Sequence, residues 1–139
     1  MTQINAYLTF DGNCAEAMNF YQQSIGGELI VNVVGDTPVE GQCGAADPGA
    51  VMHAQLSKGN LLLMASDMMS GTELIRGNSM ALSLNCSTEE EIREYFDKLS
   101  AGGSDIYPLK VEFWGALFGM FTDKFGLRWL LNFEQNQSR

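Results

Sequence analysis

Positive charge is scarce in this sequence. Its 139 residues carry 8 Lys and Arg against 17 Asp and Glu, a formal net charge of -9. The basic residues are scattered singly. A nucleic-acid binder needs them clustered to neutralise phosphates, so that class is excluded, and an anionic membrane surface is a poor partner for the same reason. Long hydrophobic runs are missing too. The longest, Leu61 to Ala65, is far too short to span a bilayer. The N-terminus has neither a basic segment nor a long apolar one, so no signal peptide is expected. There are only 3 Cys (Cys14, Cys43 and Cys86), with no close-spaced metal pattern and one left over from any pairing. That usage fits free thiols in a cytoplasmic protein. Histidine occurs once, as His53, which leaves little for a multi-histidine metal centre.

Apolar residues make up 45% and charged residues 18% of the chain, a globular balance. The length suits a single domain, 1–139, able to bury a core without staples. Sliding the sequence so that Gly26-Gly27 falls on Gly102-Gly103 also sets Phe20 on Phe96. It sets Ile4, Ala6, Leu8 and Phe10 on Met80, Leu82, Leu84 and Cys86. In each half an alternating apolar segment precedes a helical pattern, a Gly-Gly break and further strands, so a duplication is inferred.

In the first half, residues 3–10 alternate as a strand and Asp11-Gly12 breaks it. Asn13 with Glu16 reads as a capping box. Ala17, Phe20, Tyr21 and Ile25 line one face of a helix that Gly26-Gly27 ends. Strands follow at 28–34, 51–57 and 61–66, with a turn at Lys58-Gly59-Asn60. Residues 36–50 read as a long loop, of the kind that often forms a lid. In the second half, 79–86 is a strand. Thr88 or Ser87 caps a helix running to about Ala101, with Glu89, Glu90 and Glu91 in its first turn, where the dipole favours them. Strands are expected near 105–112, 116–122 and 127–133, with a turn at Asp123-Lys124-Phe125-Gly126. The fold class is α+β: two βαβββ modules, about 1–66 and 79–135, joined by linker 67–78. A helix covers one face of each sheet, and the curved mixed sheets leave a cavity for a small molecule.

This order resembles the vicinal oxygen chelate superfamily of glyoxalase I and the bleomycin-resistance proteins. Tyr7-Leu8-Thr9-Phe10-Asp11-Gly12-Asn13-Cys14, Glu16-Ala17-Met18, Phe20-Tyr21 and Gly26-Gly27-Glu28 look like its PhnB-like branch. So do Met52-His53-Ala54 with Leu56, Met64 with Ser66-Asp67, Trp114-Gly115, Phe118-Gly119, and Asp123-Lys124-Phe125-Gly126 with Trp129 and Asn132. The likeness runs from about residue 3 to 133. It implies a homodimer. Some relatives bear the name of a demethylubiquinone methyltransferase. That activity is not expected here, because the sequence has no glycine-rich strand–turn–helix for a nucleotide.

Metal enzymes of the superfamily hold a divalent ion through His and Glu on strands around the cavity, where it polarises substrate oxygens. Their late turn is followed four residues on by a ligand Glu, and here that position is Leu130. The first strand offers Asn5 or Tyr7 where those enzymes have His, and the fifth offers Ala81, Ser83 or Asn85. The expectation is therefore no metal and no other cofactor. Binding of a small organic molecule is the leading reading. The alternatives are a metal-dependent lyase, isomerase or dioxygenase, and drug or toxin sequestration, in which an acidic protein attracts a cationic drug.

The expected ligand-binding residues are Tyr7, His53, Gln55, Met64, Trp114, Met120, Arg128 and Asn132. His53, where the family pattern has His, is the best catalytic candidate, since an imidazole can act as acid, base or anchor. Its bland alternative is a hydrogen-bonded structural histidine. Tyr7 faces away from Leu8 and Phe10, either lining the cavity or filling the core. Arg128 can bind an anion bidentately or pair with one of the acids. Trp114 is a pocket wall or core packing, and Met64 and Met120 can adapt to apolar ligands. Cys14 lies in a helix first turn, which lowers a thiol pKa, but a nucleophilic role is not favoured.

Overall fold

Alternating and helical apolar patterns become eight strands and two helices in the computed structural model, which describes residues 2–33, 50–68 and 73–134. The chain divides into two compact units, Met1–Ile75 and Arg76–Arg139. The first holds β1 (Ala6–Phe10), α1 (Cys14–Ile25), β2 (Glu28–Val33), β3 (Val51–Lys58) and β4 (Leu61–Asp67). Its sheet order is β1-β4-β3-β2, with β1 parallel to β4 and the other pairs antiparallel. The second holds β5 (Leu82–Asn85), α2 (Glu89–Leu99), β6 (Ser104–Val111), β7 (Ala116–Thr122) and β8 (Arg128–Glu134). Its order is β5-β8-β7-β6, with the corresponding pairing. The two units thus share one topology, as the internal repeat predicts.

One helix packs on one face of each sheet. In α1 the buried positions Cys14, Ala17, Met18, Tyr21 and Ile25 recur at helical spacing. They meet Leu8, Phe10, Ala54, Leu56, Leu63 and Ala65, all buried. Phe20, expected among them, is only partly covered, and Met18 takes its place. In α2, Ile92, Tyr95, Phe96 and Leu99 are buried over Leu117, Phe121, Trp129 and Leu131. Phe96 sets its edge against Phe121, ring centroids 5.1 Å apart. Each fully buried large side chain of this kind contributes about 1.5–3 kcal/mol.

The helix starts differ from expectation in one half only. Thr88 caps α2: its Oγ1 accepts the Glu91 N–H at 3.0 Å, while Glu91 Oε1 accepts the Ser87 N–H at 2.8 Å. Asn13 makes no side-chain cap on α1. A distant carboxylate does this instead. Asp67 Oδ1 accepts the Cys14 N–H at 3.0 Å and its Oδ2 accepts the Val51 N–H at 2.8 Å. Asp67 therefore closes β4 rather than opening a linker. α2 ends at Leu99, two residues short of Ala101.

The repeated Gly-Gly has a geometric cause. Gly26 and Gly102 take positive φ, 90° and 77°, where a Cβ is disfavoured. A Cβ on Gly27 would lie 2.6 Å from the Ser57 carbonyl oxygen, and one on Gly103 would run into the Thr122 carbonyl. Both glycines let the chain re-enter its sheet against a neighbouring backbone. The first strands are shorter than their alternation. Ile4 and Met80, 98% and 80% exposed, lie ahead of β1 and β5 with nothing to bury against. Nearly all of the expected loop 36–50, with Cys43, lies outside the described residues.

Candidate functional site

The face of each sheet away from its helix carries the expected ligand-binding residues. In the first unit, Tyr7 sits opposite Met64, Met64 opposite Gln55, and Gln55 opposite Ile30, forming one row across four strands. His53 lies in the next row, opposite Asn32. The Tyr7 and His53 rings are 6.1 Å apart, tilted by 40°. The structure therefore brings Tyr7, His53, Gln55 and Met64 together. Val51, expected to share this face, does not. The register shifts between Asn32 and Val33, and the bulge turns Val51 into the core with Ala54 and Leu56.

In the second unit, alternation along β8 buries Trp129 and Leu131 and puts Arg128, Leu130 and Asn132 on the open face. Across from them on β7 stand Thr122, Met120 and Phe118 respectively. Trp114, half-exposed in the turn from Glu112 to Gly115, sets its ring against Phe118 with centroids 5.8 Å apart. Trp114, Met120, Arg128 and Asn132 are thus also gathered on one face. Tyr107, Lys110 and Glu112 join them without having been singled out. The Tyr107 hydroxyl donates to Glu112 Oε2 at 3.0 Å, and the Lys110 ammonium lies 5.0 Å from the Tyr107 ring centroid. The Tyr107 oxygen, and then Glu112, push the Lys110 pKa up. Two register shifts in β6 place Tyr107 opposite Met120 and Lys110 opposite Phe118. Simple alternation in the sequence carries no sign of them.

Polar groups divide between the two sheet faces. On the helix side and in the turns they are spent internally: Asp67 on two backbone donors, and Asp123 on the Phe125 and Leu127 N–H groups and the Trp129 indole N–H. The open faces are different. Among the described residues, the Tyr7 hydroxyl, the His53 ring nitrogens, the Gln55 amide, the Arg128 guanidinium and the Asn132 amide make no hydrogen bond or ion pair. Among the described residues His53 has no hydrogen-bond partner and Arg128 no acidic one. Such groups can donate to and accept from a ligand, while Met64, Met120 and Leu130 offer it apolar surface.

Neither thiol of the described cysteines suits nucleophilic work. Cys14 is fully buried and Cys86 nearly so. Burial, and then the charge of Asp67, pushes the Cys14 pKa up to about 12. Burial and then Glu91 do the same for Cys86. The helix N-terminus does not lower the Cys14 thiol, because the cap there is an anion.

The donor set does not fit a divalent metal. The parallel strand pairs present Tyr7 with Met64 and Ser83 with Leu130, where the metal enzymes of the resemblance present His and Glu. Among the described residues no group of three or more His, Cys, Asp or Glu is placed to hold a metal ion. No helix among them is long and apolar enough to cross a membrane.

Comparison with known proteins agrees with this architecture. The family model described as 3-demethylubiquinone-9 3-methyltransferase matches residues 2–132. Protein YjdN of Escherichia coli (strain K12) is 32% identical over 144 residues, covering 96% of this chain and 97% of its own. The crystal structure of protein PA1353 from Pseudomonas aeruginosa is 40% identical, with a TM-score of 0.84 over 98% of this chain and 100% of that one. A Bacillus cereus protein, described as a putative 3-demethylubiquinone-9 3-methyltransferase, PhnB protein, is 28% identical, with a TM-score of 0.75 over 95% of this chain and 99% of that one. By sequence along nearly its whole length, the chain belongs to the family that the matching model describes, and the PhnB protein is similar to it as well.

Proposed function

We propose that this protein binds a small organic molecule on the open faces of its sheets, which curve around it, and that it does so as a homodimer without a bound metal. One observation carries the reading: Asp67 and Asp123 on the helix side and in the turns are bonded internally, while among the described residues the side chains of Tyr7, His53, Gln55, Arg128 and Asn132 on the open faces have no hydrogen-bond partner. Part-exposed groups without a protein partner are open to a ligand's donors and acceptors. Tyr7, His53, Gln55 and Met64 are the binding residues on the open face of the first unit, and Trp114, Met120, Arg128 and Asn132 those on the open face of the second. His53 is the group that would move a proton if the ligand were turned over. The methyl transfer named in the family's description is not part of this reading.

Native mass spectrometry of freshly purified, untagged protein, with metal analysis of the same sample, tests it. The expected result is a dimer without stoichiometric metal that retains or saturably takes up an organic molecule. One equivalent of divalent metal, lost in the variant His53→Ala, would overturn the metal-free reading.

A further inference from the structure

We propose that the ligand is an amphipathic organic anion, with its charged end at Arg128 and Thr122 and its flat apolar body along Leu130, Met120 and Phe118. This rests on the binding reading above and specifies the ligand's chemistry. The register supplies the geometry. Successive rows on this face are Arg128 with Thr122, Leu130 with Met120, and Asn132 with Phe118. Rows on one face are about 7 Å apart, so the strip from the first to the third runs about 13 Å. It begins with a guanidinium and a hydroxyl and continues over two aliphatic side chains. It ends at an aromatic ring backed by Trp114.

The distribution of charge sets the sign. The chain has 17 acidic residues against 8 basic ones, yet the part-buried Arg128 pairs with none of those among the described residues. The acids lie elsewhere. Glu89, Glu90, Glu91, Glu94 and Asp97 are on α2, and Asp67 and Asp123 are bonded on the helix side. On the open face of this unit Glu112 is engaged by Tyr107 beside Lys110, and Glu134 is exposed in the row of Ala116, beyond Asn132. Among the described residues, a cation at the Arg128 end of the strip would meet a guanidinium and no carboxylate in the rows from Arg128 to Asn132. An anion would meet a planar donor fork with a hydroxyl alongside. The net charge of -9 therefore does not recruit a cationic ligand to this face.

Three isosteric probes read this directly: 2-naphthoate, the neutral 2-naphthamide, and the cation of 2-(aminomethyl)naphthalene, each titrated calorimetrically into the full chain at low salt. The expected order is naphthoate first, by about 10- to 100-fold over the amide, with the cation weakest. Arg128→Gln should abolish the preference for naphthoate, and a cooperative urea unfolding transition like the parent's shows that the variant is folded. Arg128→Lys should restore part of the preference. Equal binding of naphthoate and naphthamide, or a preference that survives Arg128→Gln, would overturn the anion assignment and leave the binding reading standing. Failure of all three probes to bind would overturn both.

Discussion

Asp123 is a sharp test of how this fold is held together, because a nearly isosteric change reverses one hydrogen bond. Its carboxylate is 3% exposed. Oδ1 accepts the Phe125 N–H at 2.8 Å and the Leu127 N–H at 3.0 Å, and Oδ2 accepts the Trp129 indole N–H at 2.8 Å. Asp123→Asn keeps the shape but turns one oxygen into an NH2. With the amide oxygen on the two backbone donors, the NH2 faces the indole N–H, donor against donor. Flipping the amide only moves the conflict onto the backbone. One unmade buried donor costs about 1–3 kcal/mol, and exchanging two charge-assisted bonds for neutral ones costs about 1 kcal/mol each. Relief from burying a charge offsets part of this. The expected net loss is about 2–3 kcal/mol, read from urea unfolding followed by tryptophan fluorescence. Trp129→Phe removes the opposed donor, so the double variant should be more stable than the sum of the two single losses by about 1–2 kcal/mol. An Asn variant within about 0.5 kcal/mol of the parent, or strictly additive losses, would refute the reasoning.

Three further outcomes follow from the same geometry. A Cβ on Gly119 would lie 2.6 Å from Phe96 Cε2 and 3.0 Å from the Tyr107 carbonyl oxygen, so Gly119→Ala should cost about 1–3 kcal/mol by chemical denaturation. Asp67→Ala strands the N–H groups of Cys14 and Val51, both buried. It should cost about 2–4 kcal/mol, against about 1 kcal/mol for Thr88→Ala at the exposed start of α2; equal losses in the two unfolding curves would contradict the assignment of caps. Cys14 and Cys86 are raised from 9.0 to about 12 in the folded chain. The unfolded state therefore ionises first, and their contribution is complete below pH 9 and is lost as pH rises from 9 toward 12. The slope approaches about 1.4 kcal/mol per pH unit for each thiol, and the double variant Cys14→Ala/Cys86→Ala should show a flatter decline in unfolding free energy over that window.

Sequence periodicity was enough to read the element order, because apolar spacing and Gly-Gly breaks are local signals. The strand β8 shows how far such signals carry: alternation alone puts Trp129, Leu131 and Phe133 under a helix and Arg128, Leu130 and Asn132 opposite, and Trp129 and Leu131 are buried there while Phe133 is only partly covered. Long-range effects were not legible. Asn13 reads as a cap because its residue type and spacing suit one, but Asp67, 53 positions away, takes the Cys14 N–H instead. Val51 and the Tyr107–Lys110–Glu112 group depended on bulges, whose extra residue has no mark in an alternating pattern. The partners of His53 and Arg128 were not legible for a related reason. Composition says that partners are plentiful in so acidic a chain but not which sheet face they occupy.

The two halves share a topology and differ in how each helix is anchored. α2 carries its own determinants: Thr88 and Glu91 at its start, and the pairs Glu89 with Arg93 and Glu94 with Lys98, at 2.9 and 2.8 Å. Pairs of this kind add only about 0.2–0.5 kcal/mol each, but they act before any sheet exists. α1 has no side-chain cap of its own, and its first turn is completed by a carboxylate at the end of β4 that also fixes the start of β3. At its other end the Lys58 ammonium, from the end of β3, donates to the Ile25 carbonyl at 2.7 Å. Both ends of α1 thus depend on strands that follow it in sequence. Within one duplicated plan, the unit presenting Tyr7 and His53 holds its helix by tertiary contacts, and the unit presenting Arg128 holds its helix locally.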